Sequence, residues 1–181
     1  MFHVGRLTRM SALLSGLVLV GGLAGAPGAS AAGGSGVSAS YNGGTINLSQ
    51  GWGTASVCAV TSSSTSCFSS QSDFQTWVST QSLLGTISMS PLTNCSTGLK
   101  LYSATNYGGT ELVLYTQATW INLSAYSFAS VTSSYKVGAC AVGMAAGMNG
   151  TGAAYPGATS AGSSATTMGT WNDRVQSVYI S

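Results

Sequence analysis

The sequence predicts an all-β protein with one short helix, and three observations support this fold class. The stretch from Gly98 to Gly138 alternates apolar and polar residues and breaks at Gly and Ser clusters, which is typical of strands and turns. The order of residues in this stretch partly repeats after Cys140. The chain also has 4 cysteines, an even number that favours cross-linking by disulfides.

The first residues have the features of an export signal. Arg6 and Arg9 precede an apolar run at 13–23, and Ala29-Ser30-Ala31 matches the small residues that a signal peptidase accepts. We therefore interpret residues 1–31 as a secretory signal and expect the remaining chain to be secreted and extracellular. The apolar run is too short to span a membrane, and no later stretch approaches the roughly eighteen apolar residues that a span needs, so we expect no membrane attachment after signal removal.

Removing this signal leaves few charges and a formal charge of zero. The remaining charged residues are Lys100, Lys136, Arg174, Asp73, Glu111 and Asp173. No basic cluster survives along the sequence, which argues against a nucleic-acid partner. The only histidine, His3, leaves with the signal, which excludes a Ser-His-Asp triad and the usual zinc site. The carboxylates fall in separate elements rather than as a catalytic pair, so we predict no enzyme and no catalytic residue.

The four cysteines all follow the signal, in a compartment that permits disulfides. Three connectivities are open in principle. We favour Cys58 with Cys67 and Cys95 with Cys140, because each pair then brackets one local unit. A metal site is disfavoured, since close C-x-x-C pairs are missing.

The N-terminal part divides into a lead-in and an extension. Residues 32–40 are rich in Gly, Ser and Ala and predict a flexible lead-in. Residues 41–90 form the extension, which opens with a hairpin turn at Asn42-Gly43-Gly44. A loop tied between Cys58 and Cys67 follows, and a linker begins at Gly85.

The extension also has the clearest helix signal in the chain. Ser70 stands three residues before Asp73, as an N-cap followed by an acidic first turn. Phe74, Trp77 and Val78 follow at helical spacing, so we predict a helix from about 70 to 82. Its apolar face is expected to pack on the sheet beneath it.

Residues 95–181 read as a duplicated domain, with one unit at about 98–138 and the other at about 139–181. We match three pairs of phrases: Tyr155-Pro156-Gly157 with Tyr107-Gly108-Gly109, Met168-Gly169-Thr170-Trp171 with Gln117-Ala118-Thr119-Trp120, and Ser177-Val178-Tyr179 with Ser134-Tyr135-Lys136. The long Gly, Ala and Met run at 143–154 predicts a loosely built corner in the second unit.

This duplication resembles the βγ-crystallin family, whose domain is a β-sandwich of two Greek-key motifs. The resemblance covers about Cys95 to Ser181 and implies a double Greek-key β-sandwich preceded by a small disulfide-tied extension. It also implies an aromatic corner, in which Tyr102 stacks on Tyr107 and Gly109 takes a backbone conformation that a side chain forbids.

Within the family, the chain is most similar to secreted actinobacterial proteins grouped with the Streptomyces metalloproteinase inhibitor. The closing phrase Trp171-Asn172-Asp173-Arg174-Val175 carries this similarity. The resemblance implies inhibition of an extracellular protease as one function, and the disulfide-tied loop at 59–66 is a preorganised candidate for contacting a protease.

The resemblance also raises the question of calcium, which many βγ-crystallins bind at sites shared between the two motifs. The first motif supplies Ser133 but lacks the leading Asn/Asp pair, and the second supplies Asn172 and Asp173 but has Gln176 where a hydroxyl is expected. Each half of the pattern is incomplete, so we expect no cofactor, with one weak Ca²⁺ site at Ser133 and Asp173 as the alternative.

Three functions follow from these observations. The first is a secreted, non-catalytic binding or structural module, associated with the cell surface, whose aromatic and hydroxyl-rich exterior contacts a cell-wall polymer or a protein. The second is inhibition of an extracellular protease, and the third is weak calcium binding.

Overall fold

The computed structural model describes residues 36–84 and 95–181, and these form a β-rich structure with one α-helix. The helix is α1 (Gln71–Leu84). The strands are β1 (Ser38–Tyr41), β2 (Gly44–Asn47), β3 (Val57–Val60), β4 (Thr65–Phe68), β5 (Leu99–Tyr102), β6 (Glu111–Leu114), β7 (Trp120–Asn122), β8 (Ser134–Lys136), β9 (Val142–Ala145), β10 (Ser164–Ala165) and β11 (Ser177–Ile180). The predicted signal at 1–31 and the linker at 85–90 lie outside the described residues.

The strands form two sheets, and each half of the duplication contributes one strand to the sheet that the other half mainly builds. The first sheet has the order β10-β8-β5-β6-β3-β4-β1-β2, and the second has the order β7-β11-β9. The first half supplies β5, β6 and β8 to the first sheet, whereas its third strand, β7, joins the second. The second half supplies β9 and β11 to the second sheet, whereas its middle strand, β10, joins the first. This is the double Greek-key arrangement, and the predicted all-β fold class is confirmed.

The extension adds four strands to the first sheet. β3 pairs in parallel with β6, with Cys58 opposite Leu112, and β4 and the β1–β2 hairpin continue the sheet beyond it. The predicted hairpin turn is present, with positive φ at Asn42 and Gly43. The prediction of a flexible lead-in is wrong for residues 38–40, because backbone pairing with β2 holds them in β1.

The main core lies between the two sheets. The strands present alternate residues to it, as a half-buried sheet requires. Its fully buried members include Leu101, Leu112, Tyr135, Phe128 and Val178. Trp52 of the extension joins this core, since its ring stacks on Phe128 at 5.6 Å and its indole N–H donates to the Tyr126 carbonyl at 2.7 Å.

Helix α1 covers part of the outer face of the first sheet. Phe74 is 1% exposed and packs with Val57, Ala59 and Val113, which point away from the main core. The predicted apolar face of the helix therefore packs on the sheet. Ser70 caps the helix, since the Asp73 backbone N–H donates to the Ser70 hydroxyl at 3.2 Å.

Both predicted disulfides are confirmed. Cys58 and Cys67 face each other across β3 and β4 with their Cα atoms 4.1 Å apart, and Cys95 and Cys140 have theirs 5.1 Å apart. Such cross-links are typical of extracellular proteins. Among the described residues, no helix is long and apolar enough to cross a membrane.

Candidate functional site

The aromatic corner of the first half is built as the sequence predicts. The Tyr102 and Tyr107 rings meet edge to face with their centroids 5.6 Å apart. Gly109 has φ +76°, and a Cβ there would lie 2.2 Å from the Ser103 hydroxyl oxygen. Burial, followed by the negative charge of Glu111, raises the pKa of the Tyr102 hydroxyl, which therefore stays neutral.

A buried serine closes this corner. The Ser134 hydroxyl accepts from the Tyr107 backbone N–H at 3.0 Å and donates to the Ala104 carbonyl at 2.6 Å. Ser134 is completely buried, so both backbone groups depend on this one side chain.

The second half repeats this corner at a constant spacing of 43 residues (149 − 106 and 177 − 134). Asn149 and Gly152 have positive φ like Asn106 and Gly109. The Ser177 hydroxyl accepts from the Gly150 N–H at 2.9 Å and donates to the Gly147 carbonyl at 2.6 Å. The prediction of a loosely built second corner is therefore wrong.

Of the three segment pairs that we matched between the two halves, the structure supports one and places the other two out of register. Ser177 does correspond to Ser134. The counterpart of Tyr107 is Gly150 rather than Tyr155, because Gly150 makes the matching bond to the serine. The match of Met168–Trp171 with Gln117–Trp120 fails for the same reason, since at the constant spacing Trp171 corresponds to Phe128. The match was wrong because it aligned aromatic residues with aromatic residues, whereas the second half has a glycine at the position that corresponds to Tyr107.

The predicted calcium residues lie together where the two halves meet. The Ser133 hydroxyl is within hydrogen-bonding distance of Asp173 Oδ1 at 3.4 Å and of the Ser103 carbonyl at 3.2 Å. Asn172 Nδ2 donates to Asp173 Oδ2 at 2.7 Å. The Asp173 backbone N–H donates to the Thr132 carbonyl, and the Ser130 N–H donates to the Val175 carbonyl. The turn of each half therefore makes an equivalent hydrogen bond to the turn of the other.

These donors are few for calcium, which takes six to eight oxygens. Asp173 is the only carboxylate of this turn pair, and both of its oxygens already contact protein donors. Arg174 does not pair with it among the described residues but lies over the Trp171 ring at 5.1 Å. The Thr132 hydroxyl is buried and has no hydrogen-bond partner in the described ranges, which leaves one further oxygen for an ion. Calcium binding stays a prediction.

A shallow groove beside the first aromatic corner has properties that the sequence did not predict. We call it the basic groove, a cavity of about 390 Å³ between the start of α1 and the corner. Its lining includes Lys100, Lys136, Glu111, Tyr102, Tyr107 and Gln71. The two lysines are far apart in sequence but directly opposite in the β5–β8 pairing. Strand register, which a charge count along the chain does not capture, brings them together.

The outer face of the second sheet carries a partly exposed aromatic pair that we call the Trp120 platform. It consists of Trp120 and Tyr179, whose ring centroids are 5.6 Å apart. The indole lies against Gly150 and Gly143, where an added Cβ would approach its atoms to 2.3 Å and 3.4 Å. The indole therefore rests on glycine backbone and occupies the place where a corner aromatic would stand in this half.

Comparison with known proteins gives matches at the level of structure alone. No family model matches the chain, and no curated protein matches it in sequence. The solved structures that resemble it include several βγ-crystallin domains. One is from Ciona intestinalis, with 21% identity and a TM-score of 0.40, covering 46% of this chain and 98% of its own. Another is from Clostridium beijerinckii, with 26% identity and a TM-score of 0.38, covering 46% of this chain and 95% of its own.

A third similar structure is the N-terminal domain of protein S. It has 15% identity and a TM-score of 0.39 and covers 46% of this chain and 94% of its own. These scores are low, so the fold class rests on the strand order and the repeated corners described above.

Half of the segment at 59–66, which we expected to be a protease-contacting loop, is strand. Ala59 is fully buried in β3, and Ser66 belongs to β4. The exposed tip is the short turn at 61–64, where the Thr61 N–H donates to the Ser64 carbonyl at 2.9 Å and the Ser64 N–H donates to the Thr61 hydroxyl at 3.0 Å. The tip is closed by these hydrogen bonds, but it offers a much shorter surface than the eight residues predicted from the sequence.

Proposed function

We propose that this chain is a secreted, non-catalytic module that binds a neutral polysaccharide of an extracellular surface through the Trp120 platform. The observation that carries the proposal is the indole of Trp120 lying on glycine backbone at Gly143 and Gly150. Because one side of the ring is covered, its exposed part can stack against the apolar face of a sugar ring.

The groups around the platform suit a neutral, hydroxyl-rich ligand. Asn122 Nδ2 donates to Asn149 Oδ1 at 2.8 Å, and the Asn149 backbone N–H donates to Asn122 Oδ1 at 2.7 Å. This pairing fixes both amides beside the indole and leaves the Asn149 side-chain NH₂ able to donate to a sugar hydroxyl. The outward residues of β7, β9 and β11 carry no charge.

The disulfides support an extracellular setting for this activity. They tie both the extension and the duplicated domain, and such bonds persist in oxidising compartments. The near balance of charges beyond residue 31 also lowers repulsion between the protein and a polymer surface.

Co-sedimentation with insoluble cell-wall polysaccharide tests the proposal. The purified protein is expected to pellet with the polymer, and Trp120→Ala is expected to weaken binding by about tenfold; base stacking on an aromatic ring contributes roughly 1–3 kcal/mol, and we take the contact of a sugar ring to be of the same order. Trp120→Phe keeps a flat ring and should retain most of the binding.

A second variant displaces the platform from beneath. Gly150→Ala places a methyl group against the indole and should displace the ring, and with it the binding. Because Gly150 also has φ +77° and its N–H donates to Ser177, thermal unfolding is measured beside binding to check that the variant folds. Wild-type protein that stays in the supernatant, or Trp120→Ala that pellets as wild type does, would show that the platform is not the binding surface.

A further inference from the structure

We infer that the basic groove is a second binding site, and that it takes an oxyanion, a carboxylate or a phosphate, carried by an extracellular polymer. This inference does not depend on the Trp120 platform, because the groove lies on the outer face of the other sheet and has a different chemistry. It starts from the placement of Lys100 and Lys136 directly opposite each other in the β5–β8 pairing. Like charges at directly opposed positions destabilise a sheet, so this pairing costs stability.

The groove contains one carboxylate for its two ammonium groups. Glu111 Oε1 lies 2.9 Å from Lys100 Nζ; the Glu111 side chain is 8% exposed and the Lys100 side chain 26%, so the carboxylate is shielded from water while its partner remains partly accessible. Lys136 is exposed and has no carboxylate within ion-pair distance among the described residues. The other side-chain carboxylates of the described residues are not among the lining residues of this groove: Asp73 lines a different groove with residues of β1 and β4, and Asp173 is in the closing turn. The basic groove therefore keeps a local charge of about +1 with its free ammonium group at the surface.

The free ammonium group is held in place rather than left to move in solvent. Lys136 Nζ lies 4.1 Å from the centroid of the Tyr107 ring, a distance at which a cation is attracted to an aromatic face. Tyr107 is itself fixed, because its ring packs on Tyr102 and its backbone N–H donates to the buried Ser134 hydroxyl. Lys100 is similarly placed, 5.4 Å over the Phe74 ring. Both cations are thus positioned before a ligand arrives, which lowers the ordering cost of binding.

The size and lining of the groove define the class of ligand. A cavity of about 390 Å³ is at the small end of ligand sites and accommodates one charged sugar or one phosphate with its neighbours. Its ammonium groups favour oxyanions, and the tyrosine rings beside them can contact the apolar part of the attached unit. A polymer with one negative charge per repeat unit matches the local charge of the groove.

Binding measurements with two soluble probes test the inference. Trigalacturonate presents carboxylates, an oligomer of glycerol phosphate presents phosphates, and neutral maltotriose is the reference. Wild-type protein is expected to bind at least one of the anionic probes more tightly than maltotriose, and this binding should weaken at high salt. Preference for one probe identifies the oxyanion, whereas no preference of either over maltotriose overturns the inference.

Two variants change the groove in opposite directions. Lys136→Gln is expected to lower the affinity for the anionic probe by roughly tenfold, because one charge-assisted hydrogen bond is lost. Glu111→Gln keeps the shape of the side chain but removes its charge, and it is expected to raise the affinity severalfold. A merely structural role for Glu111 would lower thermal stability without tightening binding.

A control variant, matched to Lys136→Gln, changes the net charge by the same amount at a position outside the groove. Arg174→Gln removes one cation from the closing turn, where Arg174 lies over Trp171. It should leave binding of the anionic probe unchanged. Equal losses in Lys136→Gln and Arg174→Gln would mean that the probe responds to net charge alone, and would overturn the inference. Lys136→Arg should bind nearly as wild type does, which distinguishes loss of charge from loss of fold.

Discussion

The two halves of the duplicated domain share a backbone but differ in what they place on its surface. In the first half, Tyr107 stands at the corner with Lys136 over its ring. In the second, the same two positions hold Gly150 and Tyr179, and Trp120 from the first half fills the space. The buried serines that close the two corners are the same. The same buried hydrogen bonds thus shape the corner of each half. The side chains that point outward differ, so that the surface beside the first corner is cationic and the surface beside the second is neutral.

Loss of a closing serine is expected to have the largest effect. Ser134→Ala and Ser177→Ala each leave a buried backbone N–H and a carbonyl without their partner, at a cost of about 3 kcal/mol. For a chain of this size, this lowers the Tm by roughly 10 °C. Urea and thermal unfolding measure both variants against Ser124→Ala, an exposed serine whose loss should change little.

The two serine variants also test whether the halves are equivalent. Nearly equal losses are expected, because the paired bonds match in length and both side chains are fully buried. A loss confined to Ser134→Ala would mean that the second corner depends on Trp120 rather than on Ser177.

The corner glycines are expected to show a smaller and unequal effect. Gly109→Ala combines a left-handed backbone with a contact of 2.2 Å to the Ser103 hydroxyl oxygen, which itself accepts from the Thr110 N–H. We expect it to cost roughly 2–3 kcal/mol. Gly152→Ala has the same backbone but its nearest atom at 3.3 Å, so a cost of about 1 kcal/mol is expected.

Gly162→Ala supplies the reference for these two variants. Gly162 has φ +75° and nothing within 4 Å of an added Cβ, so it measures backbone strain alone. Chemical denaturation gives all three values. Equal costs for Gly109→Ala and Gly162→Ala would show that Ser103 moves aside freely and that the first corner is less tightly built than its geometry indicates.

Local patterns predicted a large part of the fold. Alternation and turn residues identified the strands of the first half, the Ser70 cap identified α1, and cysteine spacing identified both disulfides. These features depend on neighbours in sequence. The pairing of β3 with β6 could not be predicted from local patterns, because nothing near Cys58 in the sequence specifies Leu112 as the residue opposite it.

The candidate sites were harder to predict because they depend on strand register and on the absence of side chains. Lys100 and Lys136 became neighbours only through β5–β8 pairing. The role of Gly150 was hidden, since a glycine beneath an indole looks like any other glycine in a Gly-rich run. Tyr102, Tyr107 and Gly109 lie together at one corner, with Gly109 at positive φ, and a short motif was enough to locate them because their arrangement depends on neighbours in sequence.

Calcium is expected to have the smallest effect, and it tests whether the two halves close a shared ion site. With Asp173 as the only carboxylate and its oxygens already in contact with Ser133 and Asn172, millimolar calcium should raise the Tm by no more than about 1 °C. Asp173→Asn keeps a residue that tolerates the φ of +56° seen here and serves as the control. If calcium raises the Tm of the wild type by several degrees, magnesium does not, and Asp173→Asn abolishes the rise, then Thr132 and backbone carbonyls must complete the site. The junction between the halves would then bind a ligand in addition to holding them together.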